Sequence, residues 1–354
     1  MSYQTYDHNR NYGCRLMEFV YRGYQCLSLE NELIRVMVVA DKGTDIYEFL
    51  YKPRDVEFIW RSPLGLRPMP IYPPSTPRSA GPHLDYYEGG WQEMFPNCGT
   101  VSTHQGAEIG QHGEVLLLPW SYSVTKDTVD EVEIRFEVRT VRTPFLLVKH
   151  LSLTRGKAAL RIREAVTNQG GQEVDFTWGH HPALGYPFLE EGCRVSVPDC
   201  SIRTIPAFTA PTSRLNPDQV SRWPNAIGRD GSPVDLSMTG NPILASNDMA
   251  FLEGITDGWF AVTNPRLKLS FAMRYPANVF KYLWYWQVYR GAIDYPFWGA
   301  TYNVALEPCA TLPILSDAAK KGESLKLGPG QSMAVDLVAY VSESDLIDAA
   351  ASFA

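Results

Sequence analysis

The sequence predicts an all-β fold of two large, mostly antiparallel packed sheets. Three observations carry that prediction. Period-two alternation of polar and apolar residues dominates the chain. The 27 Gly and 26 Pro punctuate it into short segments. Nine Trp, nineteen Tyr and fifteen Phe add side chains that favour strands. The clearest strand is EVEIRFEVRTV (residues 131–141), which alternates without a fault and so has one wet face. FLLVKHLSLTR (145–155) and AALRIREAVTN (158–168) follow, joined by the turn Gly156-Lys157. NQGGQ (168–172) is a further turn leading into EVDFTWGHHPALG, so this region is expected to be an antiparallel meander. Other strand-like pieces are IRVMVVA (34–40), EVLLLPWSYSV (114–124), WFAVTN (259–264), LKLSFAMRY (267–275) and SMAVDLVAYVS (332–342).

Helical signal is slight. SESDLIDAAASFA (342–354) has Ser342 or Ser344 as a cap, with acids in the first turn. The Pro-rich run RPMPIYPPSTPRSAGPH (67–83) is expected to be a long surface loop rather than a linker, since strand-forming sequence flanks it. One domain over residues 1–354 follows, with 1–24 as an N-terminal extension and 343–354 as a short helix or tail.

Composition narrows the function. Net charge is −7 with both signs interspersed, which argues against nucleic acid or an anionic membrane surface as partner. The opening MSYQTYDHNRNYGC lacks the apolar core of a signal peptide, so a cytoplasmic location is expected. Six scattered cysteines form no C-x-x-C pair and read as free thiols. The aromatic richness suits a cleft in which pyranose C–H faces stack on indole and phenol rings, or simply a large core.

Motifs for metal, nucleotide and serine chemistry (HExxH, GxGxxG, the P-loop, GxSxG) are missing from the sequence. Neighbouring strand residues point to opposite faces, so His180 and His181 in GHHPALGYPF cannot share one ligand sphere. Separated acid/base candidates remain: His112 in GQHGEVLLLPW, His181 in WGHHPALG and Glu307 in YNVALEPCATLP. Glu307 stands among apolar neighbours, where burial raises a carboxyl pKa toward a value useful for proton transfer; it could equally cap a turn or meet Arg290. In GGWQEMFPNCG (89–99), Trp91, Phe95 and Asn97 are either cleft wall or core. By alternation in FKYLWYWQVYRG, Tyr282, Trp284, Trp286 and Val288 share one face, and Leu283, Tyr285, Gln287 and Tyr289 the other.

Taken in order, these segments resemble the galactose mutarotase-like (aldose 1-epimerase) family, and most closely its divergent branch with WQEMFPN and YxWQ segments. SLENELIRVMVVADKGTDIYEFLYKP is similar to the family's opening strands. GQHGEVLLLPW is similar to its H-G segment, HHPALG to its H-P-Y-F segment and ALEPCATLP to its L-E-P segment. The resemblance runs from about residue 25 to 342 and implies a β-supersandwich with a cleft on its concave face. It implies a catalytic pair of Glu307 and His181, with His112 lining the sugar site and His180 either supporting His181 or facing elsewhere. SNDMAFLEG is a looser match that implies Asp248 as a sugar-binding aspartate. Gln287, Trp286 and Trp91 are further binding candidates. FPNCGTVS lacks the family's N-R-I arginine, and Asn97 or Gln92 stands in its place.

The implied activity is interconversion of α and β anomers by acid/base ring opening and closing, with Glu307 as base and His181 as acid. Neither metal nor cofactor is needed for it. The expected partner is a small carbohydrate, and the expected state a monomer or homodimer. A non-catalytic carbohydrate-binding protein, or another sugar-active enzyme such as a lyase or hydrolase, is the alternative on the same scaffold.

Overall fold

The computed structural model describes residues 10–68 and 81–343. The strands that frame and back the functional site are, in chain order, β1 (Asp45–Tyr51), β2 (Trp91–Met94), β3 (Glu131–Arg139), β4 (Phe145–Thr154), β5 (Ala159–Asn168), β6 (Gly179–Leu184), β7 (Ser246–Glu253), β8 (Tyr282–Tyr289), β9 (Tyr302–Cys309) and β10 (Ser332–Ser342). Among the described residues they fall into a 14-stranded and an 8-stranded sheet. The larger sheet runs β1-β2-β6-β9-β8-β7 through its middle, and the smaller runs β10-β5-β4-β3.

The predicted meander is there. β3, β4 and β5 pair antiparallel, with Ile134 opposite Leu151 and Leu151 opposite Ile162. Alternation turns Val132, Ile134, Phe136 and Val138 inward against the larger sheet, where they meet Val36, Phe49, Trp91 and Phe95 in the main core. Removing each such side chain from water contributes roughly 1.5–3 kcal/mol, which is what holds two sheets face to face.

The meander does not continue into EVDFTWGHHPALG as expected. β5 pairs instead with the distant β10, with Ile162 opposite Leu337. The chain after β5 leaves the smaller sheet: Val174–Phe176 pairs with Leu325–Leu327, and β6 inserts into the larger sheet between β2 and β9. That crossing brings His181 to the face of the large sheet turned away from the smaller sheet, which His180 faces. Residues 114–124 are likewise not one strand. Val115–Leu117 form a 3-10 turn and the strand begins at Ser121, because Pro119 has no N–H for a ladder.

Part of the expected N-terminal extension belongs to the fold, since Arg15–Tyr21 pairs with Tyr24–Glu30 at the edge of the large sheet. A helix unforeseen from sequence, Leu315–Lys321, ends on Gly322, whose positive φ lets its N–H reach the carbonyls of Ala318 and Ala319. The C-terminal helix expected over 343–354 and most of the Pro-rich run lie outside the described residues.

Candidate active site

Strand register assembles the centre of the site. The pairs Gly179–Cys309 and Ala183–Ala305 bracket His181 on β6 and Glu307 on β9, and set them opposite each other. His181 Nε2 lies 3.4 Å from Glu307 Oε1. Gly179 is required by this close pairing, since a Cβ there would stand 2.6 Å from Cys309 Sγ. On β8, Trp284 is opposite Glu307 and Trp286 opposite Ala305. On β7, Met249 is opposite Trp286. His181, Glu307, Trp284, Trp286 and Met249 share this face and line a cavity of about 260 Å³.

Loops supply the other wall. His112 and Gly113 both have positive φ, 59° and 89°. This left-handed pair presses the chain against β2, so tightly that a Cβ on Gly113 would fall 2.0 Å from the Phe95 carbonyl oxygen. His112 is thereby fixed with its Nδ1 on the Cys98 carbonyl. A carbonyl only accepts, so Nδ1 carries the proton and Nε2 is the acceptor nitrogen. A short helix, α1 (Gly81–Asp85), brings in His83, followed by Tyr87. Tyr87 Oη is 3.4 Å from His181 Nδ1. The His83 ring meets those of Tyr87 and His112 at centroid distances of 4.9 and 4.8 Å.

Burial sets the protonation of this cluster. Glu307 is 1% exposed, and its Oε2 has no hydrogen-bond partner among the described residues. Desolvation pushes its pKa well above the usual carboxyl value. The same burial, with His112 adding to it, pulls His181 down to about 3. His112 falls to about 4, again through burial. The proton of the Glu307–His181 pair therefore starts on the carboxyl, whereas the sequence reading started it on the imidazole. The reason is the setting: a neutral acid and a neutral imidazole are cheaper in an apolar cavity than an ion pair. The Tyr87 hydroxyl both donates and accepts, so it satisfies either tautomer of His181. Among the described residues, no group of three or more His, Cys, Asp or Glu side chains is arranged to hold a metal ion.

The three expected catalytic residues, Glu307, His181 and His112, thus come together, and Trp286 joins them. The remaining candidates lie elsewhere. Asp248 faces the opposite side of β7 from Asn247 and Met249; it accepts from Ser213 Oγ at 3.0 Å and Arg214 Nε at 2.7 Å. Gln287 is turned the same way and accepts from Arg214 at 3.1 Å. Both hold the segment that carries Phe208 and Ala210, which do line the cavity.

Asn97 is a staple beneath the loops. Its Nδ2 donates to the carbonyls of Thr100 at 2.6 Å and Gly110 at 3.0 Å. Gln92 donates to Asp45 at 3.1 Å, beside a buried Lys42–Asp45–Glu88 ion cluster. Trp91 and His180 point into the sandwich interior. There Trp91 Nε1 donates to His180 Nδ1 at 3.2 Å, and His180 Nε2 lies 3.0 Å from Glu164 on β5. The second histidine of GHHPALGYPF faces the cavity and the first backs it, as alternation requires.

His83, Tyr87, Asn247, Met249 and Phe208 were not singled out as site residues from sequence. Parity could have found two of them. Once Trp286 is placed in the cleft, its neighbour strand presents either Asp248 or the pair Asn247 and Met249, never all three. His83 and Tyr87 carry no comparable signal, because Tyr87 lies beyond the end of α1 and i, i+4 facing needs one continuous helix.

The architecture defines a class of protein. With a proposed aldose 1-epimerase from Klebsiella pneumoniae subsp. pneumoniae it shares a TM-score of 0.73 at 15% identity, over 93% of this chain and 87% of that one. A galactose mutarotase-like protein from Clostridium acetobutylicum gives 0.63 at 15%, over 93% and 99%. One from Lactobacillus casei gives 0.57 at 16%, over 89% and 99%. The fold is that of the galactose mutarotase-like proteins. Residues 21–221 match the family described as Domain of unknown function (DUF4432), and the chain belongs to that family. No curated protein is matched by the sequence.

Proposed function

We propose that this protein is an aldose 1-epimerase-like enzyme that interconverts the anomers of a small sugar. The observation that carries the proposal is the Glu307–His181 pair, 3.4 Å apart on the floor of a cavity walled by Trp284 and Trp286. Ring opening must take a proton from the anomeric O1–H and give one to the ring oxygen, and these two oxygens flank a single carbon. Two proton-exchanging groups a few ångströms apart suit that demand.

In the forward sense, the Glu307 carboxyl protonates the ring oxygen as the bond from it to C1 breaks. His181 takes the O1 proton and O1 becomes the carbonyl oxygen. After rotation about C1–C2, the freed hydroxyl attacks the other face of C1. Its proton returns to Glu307 while His181 reprotonates O1, so every proton is accounted for. His112, with its acceptor Nε2, orients a sugar hydroxyl. Positioned acid/base groups of this kind contribute roughly 10²–10⁴-fold each. The volume is slightly below the roughly 300–1,000 Å³ of ordinary ligand pockets, which favours one sugar ring over an oligosaccharide.

The test is NMR exchange spectroscopy or polarimetry on freshly dissolved α-sugars, using wild type, Glu307→Gln and His181→Asn. Acceleration by wild type for at least one aldose, lost in both variants, is the expected result. No acceleration across a broad aldose panel refutes the activity, and retained activity in both variants refutes the assignment of roles.

A further inference from the structure

The cavity is chemically lopsided. One wall carries His83, Tyr87, His112, Thr100 and Gln111, all able to serve hydroxyls. Another flank is built from Phe208, Met249 and Trp284, packed as one apolar cluster around Phe251. Its rings interlock, with Phe208 and Phe251 5.9 Å apart and Phe251 and Trp284 5.5 Å apart by centroid. The indole N–H groups of this side are already committed. Trp284 Nε1 donates to the Thr311 carbonyl at 3.0 Å, and Trp286 Nε1 donates to Asn247 Oδ1 at 2.9 Å. A hydroxyl buried against Phe208 and Met249 therefore leaves its water partners with little in exchange.

The flank also has a fixed place relative to the acid/base pair. Trp284 is the direct cross-strand partner of Glu307, so the apolar cluster begins one strand away, about 4.8 Å. In a pyranose the ring oxygen is bonded to C5, and C5 carries the exocyclic carbon. A ring oxygen placed over Glu307 sets that exocyclic carbon two bonds away, within reach of Trp284. Resting on the proposed anomer exchange, we infer that the substrate is a 6-deoxyhexose, whose methyl group seats between Phe208, Met249 and Trp284. A hydroxymethyl at the same place would put an oxygen into the cluster, whereas a methyl adds only apolar contact. The polar wall remains free to take the ring hydroxyls.

Three matched pairs test this: D-galactose with D-fucose, D-glucose with 6-deoxy-D-glucose, and L-mannose with L-rhamnose. Anomer exchange by NMR is expected to show kcat/KM higher for the 6-deoxy member of at least one pair, by roughly ten- to a hundredfold, the range an apolar pocket achieves against an added hydroxyl. Met249→Gln and, independently, Phe208→Asn are expected to narrow that ratio, since each offers the hydroxymethyl a partner. Equal or faster turnover of the parent hexose in all three pairs overturns the inference. So does a preference for 2-deoxy-D-glucose in place of the 6-deoxy sugars. Saturation-transfer NMR on the C6 methyl separates this idea from the activity itself. Strong methyl saturation without anomer exchange keeps the ligand class and sinks the enzyme, and exchange without methyl saturation does the reverse.

Discussion

His181 supplies a stability test that needs no substrate. It is 4% exposed, and burial holds its pKa near 3 against an ordinary 6.5. A base whose folded pKa is depressed takes up fewer protons folded than unfolded between those two values. Folding stability therefore falls as pH drops from about 6.5 toward 3. Between pH 7 and pH 5 the unfolded imidazole goes from mostly neutral to almost fully protonated, while the folded one stays neutral. At about 1.4 kcal/mol per pKa unit, that difference amounts to about 2 kcal/mol lost on acidification, and about 3 kcal/mol by pH 4. Asn in its place is polar and does not titrate. The assay is urea unfolding of wild type and His181→Asn at pH 7, 6 and 5, comparing the change in stability rather than its absolute value. Other titrating groups are common to both proteins and cancel. The variant should lose about 2 kcal/mol less than wild type over that span. Equal losses refute a neutral, desolvated His181, and with it the starting protonation used for the mechanism.

Glu307 works in the opposite sense. Its carboxyl is raised by burial, so its contribution is intact below the ordinary carboxyl pKa and is lost as pH rises above it; wild type should lose stability relative to Glu307→Gln as pH is raised upward from 4.5, in the same unfolding assay. Gly113→Ala forces a Cβ against the Phe95 carbonyl at a φ of 89°, so the His112 loop must detach; circular dichroism melting should show a loss of more than about 1 kcal/mol, and exchange activity should collapse. Lys149, inside the sandwich, lies 2.6 Å from Glu93 and 3.4 Å from Glu164. Lys149→Met strands those buried carboxylates and should cost roughly 3–5 kcal/mol; a loss under 1 kcal/mol would mean that the pair is not charged.

Asp248 and Gln287 show where sequence reasoning went astray. Both are polar residues in suggestive segments, yet each sits one position off the cavity-facing parity of its strand. Their acceptor oxygens anchor Arg214 instead. Asn97 and Gln92 occupy the segment where an arginine is missing, yet the structure uses them to tie down loops and an ion cluster. A polar side chain reads alike in sequence whether it meets a ligand or a backbone carbonyl.

Alternation, turn residues and local chemistry are local properties, so the sequence alone determined the all-β class, the β3–β5 meander, the opposite facing of His180 and His181, and the trio Glu307, His181 and His112. What it could not determine was contact across long separations. The pairing of β5 with β10, the insertion of β6 between β2 and β9, and the arrival of His83, Tyr87 and Phe208 at one cavity depend on which distant strands find each other. That choice is made by burying two whole sheet faces at once, a free energy summed over the entire core. Only the tertiary structure decided that His181 would lie opposite Glu307, and that the resulting desolvation would leave the proton on the carboxyl.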